Sequence, residues 1–407
     1  MKILFFLQLC TLLVLATDEK NQEVSGSYEH SEWEKSEASK SYMNFALRLY
    51  KFMSSQAAKA TPNLFFSPIS IHATLSTLAL GARSTTRREI LQGMGLNDNK
   101  TDKELHECNR KLLQKIFKQT KDVNFNIGNE IFIEKSAIFF PQYQDNVTYY
   151  YNTSIQSISF SDTRNAIKTI NTHVSKKTDN KIQKIVEKLD SKTMMVPLDY
   201  SVFQAKWESQ FDIEDTEERN FTVNENKTVS VPTMRRQGLY RTFKDKEMKS
   251  YVVEVPYTCS TVLLIIVPEL GNLHSFGTKL TPEMIKEYLS SLKNSMLDLY
   301  IPRVSFNNSV NVQFATLSMD MRSMFSGDNA NFSKISKKPR LRVSKMCHQT
   351  YANFTEEGRE MNAAAVSQSN YVFSNPKFKV NRPFLMLVYN KNMEIILWMG
   401  RVIDPSK

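Results

Sequence analysis

Glycine and proline are sparse, 11 and 13 in 407 residues, and neither gathers into a repeat or a linker. That excludes collagen-like order and low-complexity disorder, and with 41% hydrophobic residues the chain can bury a real core. Cysteine is almost absent: Cys10 lies near the N-terminus, and Cys108, Cys259 and Cys347 remain. An odd number without zinc-type spacing supports neither a disulfide scaffold nor a metal centre, and each is read as a small buried apolar residue. His106 near Cys108 offers two ligand types and no third. Catalytic signatures are missing too. There is no Gly-x-Ser-x-Gly, no His-Glu-x-x-His and no Gly-x-Gly-x-x-Gly after a strand, and Gly271 to Lys279 has the wrong spacing for a phosphate loop. An enzyme is not expected, and no cofactor or metal is implied.

Long apolar runs are lacking with one exception. Lys2 precedes the run Ile3 to Leu15, too short to span a bilayer, followed by Ala16, Thr17 and Asp18. Residues 1–17 read as a secretory signal peptide, so a secreted, extracellular protein without a transmembrane segment is expected. Eight Asn-x-Ser/Thr sites, at Asn99, Asn146, Asn152, Asn220, Asn226, Asn307, Asn331 and Asn353, then become candidates for glycan. Residues 18–41 are polar and mixed in charge and read as a mobile arm. No linker divides the rest, so 42–407 is expected to be a single domain and the protein a monomer.

What is abundant is positive charge: 53 Lys and Arg against 42 Asp and Glu, a formal +11. Secretion argues against nucleic acid. Lys111, Lys115 and Lys118 on one predicted helix, and Lys337, Lys338, Arg340 and Arg342 in one short stretch, form either a site for heparin-like polysaccharide or an ordinary solvated face.

Periodicity supplies the elements. Phe45, Leu49, Phe52 and Met53 recur at helical spacing from Tyr42, and Ser67-Pro68 opens a helix ending near Gly81. Thr86 and Glu89 read as a capping box for a short helix carrying Ile90, Leu91 and Met94. Asp102 to Lys121 predicts an amphipathic helix with Leu105, Cys108, Leu112 and Ile116 inward, and Ile167, Ile170 and Val174 another helix. Strands are predicted at Val123 to Ile127, Tyr251 to Tyr257, Thr261 to Val267, Leu297 to Phe306, Phe384 to Tyr389 and Ile395 to Trp398, with one helix at Thr281-Pro282 among them. Helices first and strands later indicate an α+β fold with mostly antiparallel sheets.

The segment from Phe378 through Asn381-Arg382-Pro383-Phe384 to Val388 resembles, at every position, the C-terminal signature of the serpins, specifically the antitrypsin-like (clade A) secreted group. Further matches follow in the family's order: Asn63-Leu64-Phe65-Phe66-Ser67-Pro68-Ile69-Ser70, Ile170-Asn171, Ala205-Lys206-Trp207, Pro302-Arg303, His348, Glu356-Glu357-Gly358 and Met399-Gly400-Arg401-Val402. The resemblance implies three β-sheets, eight or nine helices and an exposed reactive-centre loop at about 356–380. Inhibitory members trap serine proteases: the cleaved loop inserts as a new strand in the central sheet and distorts the acylated protease.

By that resemblance the hinge runs Gly358, Arg359, Glu360, Met361, Asn362, Ala363, Ala364, Ala365, and the scissile bond is Val372-Phe373. Alternate hinge residues Arg359, Met361, Ala363 and Ala365 would turn inward, so they need to be small or apolar. Arg359 stands where inhibitors carry a small Thr or Ser, and an unpaired buried guanidinium costs several kcal/mol. Pro197 falls on an implied central strand, where it removes a ladder donor and bends the strand. Ser67, Ser70, Asp199 and His348 are implied to form the shutter that gates the sheet, with Asp199 in place of the usual Asn. Arg303 and Glu356 are implied to pair at the top of the opening.

The expected function is that of a non-inhibitory or weakly inhibitory secreted serpin acting by binding, as carrier of a small apolar ligand or on polysaccharide or a cell surface. The alternative is an inhibitor that traps an extracellular elastase- or chymotrypsin-like serine protease through Val372-Phe373.

Overall fold

The computed structural model describes residues 39–55, 63–96, 101–117, 123–337, 340–357 and 375–407. The first half carries most of the helices: α1 (39–55), α2 (Pro68–Gly81), α3 (Ser84–Gly93), α4 (Asp102–Phe117), α5 (Pro141–Tyr151) and α6 (Thr163–Lys177). Between them run β1 (Leu64–Phe66), β2 (Val123–Glu134) and β3 (Ser154–Ile158). Strands then dominate: β4 (Met195–Ala205), β5 (Glu217–Asn224), β6 (Lys227–Asp245), β7 (Ser250–Pro256), β8 (Thr261–Pro268), β9 (Lys293–Pro302), β10 (Val304–Val310), β11 (Cys347–Phe354), β12 (Lys377–Lys379), β13 (Phe384–Asn390) and β14 (Ile395–Val402). Three short helices lie among them, α7 (Leu273–Lys279), α8 (Pro282–Ser291) and α9 (Val312–Ser318), where the sequence announced only α8.

Two hydrogen-bonded networks result. One has nine strands in the order β1-β14-β13-β8-β7-β6-β9-β12 with β5 on β6, and the other has five, β10-β11-β4-β2-β3. Of the three sheets expected, two are continuous because the 19-residue β6 pairs β5, β7 and β9 along its length. Helix α2 lies between the networks and touches both β14 and β4. All of its residues are buried, the mark of a helix surrounded by core rather than lying on a surface. Gly400 permits the close approach of β14 to β1: a Cβ there would meet the Leu64 carbonyl oxygen at 1.9 Å.

Ser67 caps α2 as expected, its hydroxyl accepting from Ser70 N, and Thr281 caps α8 in the same way. The capping box assigned to Thr86 and Glu89 is not formed. Helix α3 starts earlier, at Ser84, and both side chains reach a distant segment: Thr86 Oγ1 accepts from Asn331 N (3.0 Å) and Glu89 Oε2 from Ser323 N (2.7 Å). The real box is Thr101/Glu104 on α4, with Thr101 N donating to Glu104 Oε2 at 2.9 Å and Glu104 N to Thr101 Oγ1 at 3.3 Å. The inward face of α4 is Leu105, Asn109, Leu113 and Ile116, so Cys108 and Leu112 are only half-buried. Cys259 is half-buried too, and Cys347 alone of the three is fully enclosed, which pushes its thiol up to about 12. Residues 39–41, assigned to the arm, already belong to α1.

Two histidines in this helical half set an acid limit. His72 on α2 lies edge-on to Tyr42 and Phe45, and His106 on α4 contacts the Tyr151 hydroxyl. Burial lowers both from the ordinary 6.5 to about 4. The unfolded chain takes up these two protons first, so stability present above pH 6.5 drains away as pH falls toward 4, by about 3 kcal/mol per histidine. Urea midpoints should drop steeply between pH 6.5 and 5, and His106→Gln should flatten the slope. A level profile over that window would contradict the assignment.

Candidate functional site

The site is the seam between β4 and β11, where an additional strand would have to enter. These strands pair directly and in parallel over six residues, Cys347 opposite Leu198 through Ala352 opposite Phe203, so the five-stranded sheet is closed. Alternation along β11 turns His348, Thr350, Ala352 and Phe354 toward the core and leaves Tyr351 and Asn353 half-buried on the other face.

Parallel register sets His348 opposite Asp199, and both are fully buried. The ring contacts Asp199 Oδ1 through Nδ1, and the same carboxylate oxygen accepts from Ser70 Oγ at 2.6 Å. The other ring nitrogen, Nε2, faces the Ser67 amide at 3.2 Å and the Thr350 hydroxyl at 2.9 Å. An amide N–H can only donate, so Nε2 must be the acceptor and the imidazole proton sits on Nδ1. A neutral imidazole therefore donates to the carboxylate, and the ion pair left open by the sequence is not needed. One step along, Ser201 Oγ and Thr350 Oγ1 meet at 2.8 Å, and Trp398 Nε1 donates to Ser201 Oγ at 3.1 Å. Two side-chain bridges thus cross the seam.

The second bridge was not read from the sequence. Its signal was available: Ser201 follows Asp199, and Thr350 follows His348, at the two-residue period of an inward face. Ser67, Ser70, Asp199 and His348 come together in the core. They are not a hydrolytic set, because Ser70 Oγ donates to Asp199, Ser67 Oγ donates to Leu397 O (3.0 Å), and all four are inaccessible.

The top of the seam holds the Arg303–Glu356 ion pair, Nη2 to Oε1 at 2.5 Å and Nε to the same oxygen at 2.6 Å. Thr216 Oγ1 adds a third donor at 2.6 Å. Trp207 stacks on Tyr257 with 4.5 Å between ring centres and donates through Nε1 to Thr355 O at 2.7 Å, fixing where the chain leaves β11.

Pro197 does not bend β4. Its register against β2 runs unbroken from Met195 to Ala205. The Met194 carbonyl accepts from Glu134 N on the β2 side, and the Met195 carbonyl from Ser344 N on the opposite side. Alternation then directs the Pro197 nitrogen away from β2 and toward the seam, where the missing donor costs the β2 ladder nothing.

Gly358 to Ala365, Val372 and Phe373 lie outside the described residues, as do Asn99, Lys118 and Lys338. Asn152, Asn220, Asn226 and Asn307 are exposed, whereas Asn146, Asn331 and Asn353 are half-buried. Asn353 Oδ1 accepts from Ser305 Oγ at 2.6 Å, on the face of β11 away from the core. Lys111 and Lys115 are exposed on α4; Lys337 and Arg340 are exposed elsewhere, and Arg342 turns into a separate cleft. Among the described residues no group of His, Cys, Asp and Glu could hold a metal ion.

The family description Serpin (serine protease inhibitor) matches residues 40–405. The chain belongs to the serpin family. Among curated serpins it is 33% identical over 365 residues to serine protease inhibitor A6 of Xenopus laevis, covering 89% of this chain and 83% of the relative. It is 30% identical to alpha-1-antitrypsin of Sus scrofa, with 89% and 86% covered. In structure this serpin superposes on human thyroxine-binding globulin complexed with thyroxine at a TM-score of 0.85 and 28% identity, covering 92% of this chain and all of that one. Human glycosylated kallistatin gives a TM-score of 0.81 at 28% identity, with 90% and 97% covered.

Proposed function

We propose that this is a secreted, glycosylated serpin that has largely lost protease trapping and acts by binding, as a carrier of a small apolar ligand or on a polysaccharide-coated surface. What carries the reading is the charge of Arg359 in the implied hinge, weighed against the apolar packing at the top of the seam. The chain leaves β11 at Phe354 and would have to double back, so Arg359 enters there. Beneath it lie Phe203 and Phe354, ring centres 5.7 Å apart, with Trp398 5.0 Å from Phe203. An unpaired guanidinium against those rings costs several kcal/mol at the first step of insertion. The two side-chain bridges raise the cost further, because parting β4 from β11 breaks both. Support for a carrier also comes from thyroxine-binding globulin, a similar serpin solved with thyroxine.

A second reading, an inhibitor cleaved at Val372-Phe373, is favoured by the retained Arg303–Glu356 pair and the closed, unfilled seam. Incubation with elastase- and chymotrypsin-like proteases separates the two. The expected result is loop cleavage without an SDS-stable complex. A covalent adduct linked through Val372 would establish the inhibitor and sink the binder.

A further inference from the structure

At the end of the seam where Cys347 opens β11 lies a cleft of about 880 Å³, within the range of small-ligand sites. Its walls are the connection that leads into β4 and the segment that leads into β11. The first supplies Lys184, Lys188 and Lys192, and the second Arg342 and Lys345. Two carboxylates, Glu187 and Asp190, share the wall, and Asp190 Oδ1 is engaged by the Lys192 amide at 2.7 Å. The cleft therefore carries a formal excess of three positive charges.

Those cations are not neutralised from within. Among the described residues none of the five forms an ion pair, although Lys and Arg elsewhere pair readily with Asp and Glu. Lys345 Nζ is turned to the Lys188 carbonyl at 2.9 Å, which draws the two walls together while leaving both charges unmatched. Arg342 and Lys345 are half-buried, so their charges are less screened than those of exposed lysines. A fold that crowds five cations around a concavity accepts self-repulsion that an anion would relieve.

We propose that this cleft binds a compact polyanion bearing several sulfate or phosphate groups, and that its occupation holds the sheet closed. The planar fork of Arg342 suits a two-oxygen contact with such a group, and the lysines act as point charges around it. The second half follows from position. At this end the seam is held by Ser344 N donating to the Met195 carbonyl (2.9 Å) and Met194 N donating to Ser344 Oγ (2.9 Å). A ligand bridging Lys188 and Lys192 to Arg342 and Lys345 ties together the two segments that must separate before a strand can enter. Binding that favours the closed arrangement stabilises it by mass action. This deepens the binding role proposed above, and no protease enters its test, so the two can fail separately.

The test titrates the intact protein with inositol hexakisphosphate and, separately, with a heparin hexasaccharide, by calorimetry at physiological ionic strength. At least one is expected to bind at one per protein. The hexakisphosphate binding alone would identify a phosphorylated small molecule as the class, and the hexasaccharide binding alone a sulfated glycan, either outcome supporting the site. Lys188→Glu/Arg342→Glu should weaken binding by about tenfold or more, as should Lys184→Glu/Lys192→Glu, which alters only exposed side chains. The control Lys51→Glu/Lys246→Glu, exposed on α1 and in the β6–β7 turn and carrying the same charge change, should stay within about twofold. Equal loss in the control, or binding by neither polyanion, would overturn the site. The bound ligand should also raise the melting temperature of the wild-type protein and not that of Lys188→Glu/Arg342→Glu; binding without such a rise would overturn the closure.

Discussion

Replacing His348 with alanine should lower the stability of the folded protein by about 3–5 kcal/mol, the range for leaving a buried charge, here the Asp199 carboxylate, without its compensating donor. The imidazole has three partners and serves two elements. Through Nδ1–H it donates to Asp199 Oδ1, and through Nε2 it accepts from the Ser67 amide at the start of α2. Without it the Asp199 carboxylate keeps only the Ser70 hydroxyl, its Oδ2 being already without a partner, in a place no water reaches. Asp199→Asn should be milder, about 1–2 kcal/mol, since it exchanges an ionised acceptor for a neutral one and keeps the acceptor in place. Combining the two should cost less than their sum, because each removes the same contact. Urea midpoints with unchanged m-values provide the measurement. A loss under about 1 kcal/mol for His348→Ala would show that the bridge does not hold the seam.

Much of this arrangement was legible before any coordinates, for identifiable physical reasons. The start of helix α2 and its end near Gly81 were legible because Ser67, Pro68 and Gly81 are local signals: a side-chain cap, a pre-set φ and a stop. The shutter residues came from a resemblance and not from periodicity, since Asp199 and His348 are 149 positions apart and only strand register makes them neighbours. What failed was where local chemistry was overruled by tertiary contact. Thr86 and Glu89 have the spacing of a capping box, yet amides at 322, 323 and 331 reach their side chains, and the same spacing at the exposed Thr101 and Glu104 does form one. Pro197 was read as a distortion because its sequence neighbours do not reveal which way its nitrogen points. The cationic cleft was seen only in part: Arg342 stood out in a basic stretch, but Lys184, Lys188 and Lys192 are spread over a connection with no pattern of its own.

Arg359→Thr, alone or with Met361→Ala, should turn loop cleavage into loop insertion. In the parent chain the cleaved loop must place a guanidinium over Phe203, Phe354 and Trp398, so cleavage should leave the melting temperature nearly unchanged. Removing about 4 kcal/mol of desolvation cost shifts the insertion equilibrium roughly a thousandfold, and the cleaved variant should then melt well above its intact form. The same change alters a race, because an acyl-enzyme is trapped only if insertion outruns hydrolysis. A fraction of the elastase-treated variant should therefore run as an SDS-stable adduct where the parent shows none. That fraction should stay partial, since the His348–Asp199 and Ser201–Thr350 bridges still have to part, and adding Asp199→Asn should enlarge it. If Arg359→Thr leaves both readouts where they were, the obstacle lies in the seam and not in the hinge. The seam would then be the determinant, and Asp199→Asn without any hinge change should move the cleaved melting temperature by itself.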